Sequence, residues 1–136
     1  GDCPKTFLIV DDEALNRFVL TSLLSTKKIL CDEARDGREA IEMIVQRSIQ
    51  YGDCACRNYT LIIMDYEMPR MNGPECCQSL NTLIQKGNLE PQKIVGHTAY
   101  TTEEDTTEFM SYGIVDILQK PVTLDKLQDG LQKWFQ

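Results

Sequence analysis

Five short apolar runs, each followed by a stretch of helical period, constrain this chain more than any other feature. TFLIV (6–10) is apolar almost throughout and stops at Asp11-Asp12. KILCDEA (28–34), YTLIIMD (59–65), KIVGH (93–97) and IVDIL (114–118) follow it along the chain. A short run without polar alternation suits a strand buried on both faces, as in a parallel sheet. Between the runs, apolar residues recur at about 100° per residue, the helical period. Val19, Leu20, Leu23 and Leu24 share one face, with Asn16 near its middle, in a helix expected over 13–27. Ala40, Ile41, Ile44 and Val45 mark a second helix, and 73–86 a third. A fourth over 101–112 opens on acids, as the helix dipole favours, and a last over 122–135 has Thr123 as its N-cap. SIQYGDCACRN (48–58) reads as a long polar loop. Strand and helix alternate five times with short connections. That order predicts an α/β fold with a five-stranded parallel sheet and helices on both faces.

At 136 residues the chain has the size of one domain, and 42% apolar residues are enough to build a core rather than leave it disordered. The net charge of −7 argues against direct binding to nucleic acid or an anionic membrane. No run of about 18 apolar residues is present, so no membrane span is expected, and no signal peptide is read. The chain opens on Gly1-Asp2 and reads as a processed piece of something longer, with residues 1–4 a linker tail to a single domain over 1–136. Six cysteines raise the question of metal or disulfides. Cys54-x-Cys56 is too tight for a zinc knuckle, Cys76 and Cys77 are adjacent, and His97 has no ligand partner nearby in sequence. Reduced thiols in a cytoplasmic protein are the expectation.

The chemistry gathers at the strand ends, where open α/β sheets bind their ligands. Strand one ends in Asp11 and Asp12, strand three in Asp65, strand four in His97-Thr98-Ala99 and strand five in Lys120-Pro121. Clustered carboxylates repel and call for a cation. A hard divalent ion with oxygen ligands answers that need, and Mg²⁺ is the common choice, itself a partner of phosphoryl oxygens. Lys120 adds a positive charge and Thr98 a hydroxyl donor. No Cys or Ser belongs to the constellation, so the nucleophile is a carboxylate, and Asp65 is central.

IVDDEALNRFVL, MDYEMPRMNG, HTAY and the closing QKP resemble the receiver domain of two-component response regulators, over about residues 5–134. The resemblance implies the flavodoxin-like, doubly wound (βα)5 arrangement with strand order 2-1-3-4-5. It implies that Asp65 accepts a phosphoryl group from a partner phosphohistidine, on a histidine kinase or a histidine phosphotransfer domain. Asp12, Asp65 and the backbone carbonyl of Glu67 would bind Mg²⁺, with Asp11 acting mainly through a bound water. Thr98 would be the switch hydroxyl, Lys120 the ion-pair partner of the phosphoryl group, and Lys120-Pro121 a cis peptide. The form of IVDDEALNR leans toward the receiver of a hybrid histidine kinase, cytoplasmic or the cytosolic part of a membrane-bound kinase.

One departure from the family pattern matters. Receivers often carry an aromatic three residues before the lysine; here that position is Ile117, so signalling is expected to run through Thr98 and its following loop. Glu67 and Tyr100, each two residues beyond a key side chain, stand where family members tune hydrolysis. Leu15 and Phe18 lie off the apolar face of the first helix, and an exposed apolar pair beside the site suggests docking of the phosphodonor. Other readings stay open: a dehalogenase-type Mg²⁺ phosphatase with Glu67 as second acid, or a pseudo-receiver that binds without phosphorylation. A nucleotide-binding flavodoxin-like domain would need a glycine-rich phosphate loop, which the chain lacks. Oligomeric state is not legible.

Overall fold

A computed structural model describes residues 4–99 and 102–136. The strands are β1 (Thr6–Val10), β2 (Leu30–Ala34), β3 (Leu61–Asp65), β4 (Ile94–Thr98) and β5 (Asp116–Gln119). They alternate with α1 (Ala14–Ser25), α2 (Gly37–Tyr51), α3 (Gly73–Gln85), α4 (Glu103–Met110) and α5 (Leu124–Trp134). All pairings are parallel, in the order β2-β1-β3-β4-β5. The expected (βα)5 architecture is therefore the one observed.

Each run does what its composition demands. β1 and β3 are central, and every residue in them is buried. Alternate residues feed two cores, because side chains in a strand point to opposite faces. Phe7, Ile9, Leu61, Ile63 and Val95 pack with Leu20 and Leu24 of α1 and Leu127 and Trp134 of α5. Leu8, Val10, Ile62 and Met64 pack with Ala40 and Ile44 of α2, Cys76, Cys77 and Leu80 of α3, and Phe109 of α4. Thr123 caps α5, accepting from the Lys126 N–H at 3.2 Å. Trp134 closes α5 at the end of the sheet where β5 begins, and its indole N–H donates to Asp116 at 2.8 Å.

Two local expectations are corrected. Residues 48–51 continue α2 instead of opening a loop, and Ala55–Arg57 form a 3-10 turn. The cause is Arg47: its guanidinium lies between the Tyr51 and Tyr59 rings, and Nε donates to the Cys56 carbonyl at 2.8 Å. Cys56 is disulfide-bonded, against the expectation of reduced thiols, whereas Cys31, Cys76 and Cys77 are free thiols. Spacing along the chain carries no information on pairings that folding creates. Among the described residues, no helix is long and apolar enough to cross a membrane.

Candidate functional site

The carboxyl ends of β1, β3, β4 and β5 form one rim, and the cavity above it has a volume of about 730 Å³, with Asp12, Glu13, Asn16, Glu67, Thr98 and Lys120 on its wall. Carboxylate oxygens of Asp11, Asp12 and Asp65 lie within 4.8 Å of one another. Asp11 and Asp65 are buried, while Asp12 is exposed. The Lys120 ammonium reaches between the buried pair, donating to Asp65 Oδ1 at 3.0 Å and lying 3.3 Å from Asp11 Oδ2.

Local structure fixes each group. Asp11 Oδ1 accepts from the Glu13 N–H at 2.9 Å and from the Asn16 amide at 3.4 Å, and the Arg17 guanidinium donates to the Asp11 carbonyl at 2.8 Å. Asp65 ends β3 against Gly73, where a Cβ would lie 2.4 Å from the Asp65 carbonyl oxygen, so only glycine lets α3 start this close. The loop between them closes with Gly73 N–H donating to the Tyr66 carbonyl at 2.8 Å. Thr98 is buried at the end of β4, and its carbonyl accepts from the Lys120 N–H at 2.9 Å. The Lys120–Pro121 peptide is cis.

The electrostatics follow from this packing. Burial and the neighbouring Asp11 charge push the Asp65 carboxyl up to about 6, although Lys120 pulls against them. Burial works against the Lys120 charge, but Asp65 and Asp11 together hold its ammonium above the usual lysine range. Three carboxylates against one ammonium leave an excess of negative charge at the site. The buried Asp11 Oδ2 has the shared Lys120 ammonium as its cationic partner. An all-oxygen donor set with an excess of negative charge fits a hard divalent cation such as Mg²⁺.

The structure thus brings together Asp11, Asp12, Asp65, Thr98 and Lys120, with Pro121 following Lys120 in a cis peptide and Glu67 exposed on the rim. Ile117 is half-buried on β5, paired in register with Gly96. Leu15 and Phe18 are 69% and 67% exposed on α1, away from both cores. Tyr100 lies outside the described residues. His97, given no role by the sequence beyond its place at a strand end, has its imidazole buried within reach of the Lys120 and Asp11 charges. Burial and the Lys120 charge lower it to about 4, so it is neutral. Its position at a strand end was visible, but the face it occupies depends on the pleat of β4. Asn16, in sequence only a member of a helical face, here lines the cavity and donates to Asp11.

Comparison with known proteins agrees with this geometry. The response regulator receiver domain family matches residues 7–132. Two-component response regulator 24 of Arabidopsis thaliana is 34% identical over 128 residues, covering 94% of this chain and 82% of that protein. Hybrid signal transduction histidine kinase A of Dictyostelium discoideum is 28% identical over 130 residues, 96% of this chain but 6% of the kinase. Among solved structures, Vibrio cholerae chemotaxis response regulator CheY4 superposes with a TM-score of 0.78 at 25% identity, covering 98% of this chain and 100% of that one. The receiver domain of a Pseudomonas aeruginosa sensor histidine kinase, solved with a magnesium ion in its active-site cleft, gives 0.74 at 23% identity, covering 97% and 98%. Fold and site together define a signalling module of the phosphoacceptor class. The chain belongs to the response regulator receiver family of two-component systems.

Proposed function

We propose that Asp65 is the phosphoacceptor, receiving a phosphoryl group from a phosphohistidine of a histidine kinase or histidine phosphotransfer domain. The observation that carries this reading is the position of Asp65: a buried carboxylate, 3.0 Å from Lys120, with Asp11 and Asp12 beside it. A carboxylate oxygen of Asp65 attacks phosphorus, the histidine N–P bond breaks, and the departing imidazole keeps the electron pair and takes a proton. Asp12, Asp65 and the Glu67 carbonyl would hold Mg²⁺, with Asp11 acting through a bound water. The ion, when bound, neutralises charge on the phosphoryl oxygens. Lys120 would leave its present partners to pair with the phosphoryl group, and the Thr98 hydroxyl would donate to it, turning a local charge change into a switch. Glu67 and Tyr100 would set the lifetime of the acyl phosphate. Leu15 and Phe18 would meet the donor helix, in the cytoplasm.

Intact mass after incubation with Mg²⁺ and acetyl phosphate tests the reading. One phosphoryl mass is expected on the wild type and none on Asp65→Asn. No adduct, repeated with a phosphohistidine donor, would mean a pseudo-receiver, and phosphate release over many turnovers would mean a phosphatase.

A further inference from the structure

The loop that carries Glu67 is bolted at its far side to the turn between β2 and α2. Asp36 ends that turn. Its side chain is buried, and its Oδ1 accepts from the Glu39 N–H at 2.9 Å, capping α2. Its Oδ2 faces the acceptor loop rather than the backbone of α2. The Arg70 guanidinium, itself largely exposed, forms an ion pair with that oxygen. Burial alone would raise the Asp36 carboxyl, but the Glu39 N–H and Arg70 more than offset it and hold it below the usual range.

A buried charge with one cationic partner is a constraint on where that partner can be. Here the constraint acts on a strained backbone. Arg70 has φ of +65°, the left-handed region that a residue with a Cβ seldom occupies. The next residue is also held: the Gly37 N–H donates to the Met71 carbonyl at 3.1 Å. The Cys76 thiol at the start of α3 donates to the Gly37 carbonyl at 3.4 Å. A Cβ on Gly37 would lie 2.8 Å from the Cys76 Cβ, so the segments meet at backbone contact.

We infer that Asp36 and Arg70 are positioning residues for the phosphoacceptor loop, holding it so that the Glu67 carbonyl faces the carboxylate cluster. The inference rests on the site reading given above, since the loop matters only if that carbonyl is a ligand. Neither residue touches the cluster; each acts through the loop backbone, as outer partners of a metal site do.

Calorimetric titration with Mg²⁺, together with hydrogen exchange at the loop amides, tests it on four variants. Arg70→Ala removes an exposed side chain. Asp36→Asn removes the charge while keeping an oxygen to cap α2. Both should bind Mg²⁺ about tenfold more weakly than wild type, with faster exchange at the Met68, Arg70 and Met71 amides. The double variant should be no weaker than the worse single, because both break one link. Arg70→Lys should recover much of the affinity. A charge acting through space makes a different forecast: losing an anion at residue 36 would also weaken Mg²⁺ binding, but losing a cation at residue 70 would tighten it. Opposite shifts, unchanged affinity, or weaker binding without faster exchange each overturn the latch. A wild type that binds no Mg²⁺ overturns the site reading and the latch with it, whereas binding by wild type and variants alike overturns the latch alone.

Discussion

Asp65 is charged at neutral pH against its surroundings. Its carboxyl titrates at about 6, against 3.8 for an unhindered aspartate. A folded-state value above the unfolded one gives stability that is present below pH 3.8 and lost as the pH rises through about 6. The shift corresponds to a cost of about 2 to 3 kcal/mol at neutral pH. Asp65→Asn should therefore raise stability at pH 7.5 by that order, and the gain should fade below pH 6; urea denaturation across pH checks it. His97 works in the other direction. Its value of about 4 lies below the ordinary 6.5, so its contribution is present above pH 6.5 and lost as the pH falls through about 4. The two oppose each other between pH 4 and 6, and Asp65→Asn should lose stability in acid more steeply than wild type. At this scale the sequence placed the acids, Thr98 and Lys120 correctly at strand ends. It could not show the inward turn of His97 or the Asp36–Arg70 contact, because both depend on which segments folding brings side by side.

Between elements, the notable pairing is α4 with β4. Phe109 is fully buried on α4 and lies over Gly96, where a Cβ would meet its ring at 2.5 Å. Tyr66, next to Asp65, packs edge-on against Phe109 with ring centroids 5.2 Å apart. Burial and a hydrogen bond to Glu108 push its phenol up to about 12. Aromatic volume thus enters this region from α4 and the acceptor loop, beside the Ile117 of β5 that packs against the same core. Gly96→Ala should destabilise the fold by about 1 to 3 kcal/mol through overpacking. Adding Phe109→Leu should make the double variant more stable than the summed single effects forecast; additive losses in thermal denaturation would count against the contact. The helices and strands were legible because period and burial agree in each of them. The overrun of α2 to Tyr51 was not, because it depends on Arg47 stacking on a tyrosine of the next segment.

For the whole molecule, a net charge of −7 and a carboxylate cluster in one cavity make cation binding a stabilising event. Millimolar Mg²⁺ should raise the melting temperature of the wild type by a few degrees, about 1 to 2 kcal/mol for a domain of this size, and chelation should reverse it. Asp12→Asn should lose most of that response. The exposed pair on α1 bears on a different encounter. Phe18→Ala should slow transfer from a phosphohistidine donor severalfold while leaving labelling by acetyl phosphate unchanged, since the small donor needs no docking surface; equal rates with the protein donor would remove Phe18 from the interface.

Trp134, the single tryptophan of the chain, sits beneath the sheet, where β5 begins, bonded through its indole to Asp116. The carboxylate-lined cavity opens at the other end of the strands. The molecule therefore carries a built-in optical probe at the end of β5 away from that cavity. A ligand held in that cavity does not touch it, because Trp134 is not among the cavity's lining residues. Any change in its emission when Asp65 is modified would report that the modification had been felt across the full depth of the domain, and a constant emission would confine the response to the upper rim.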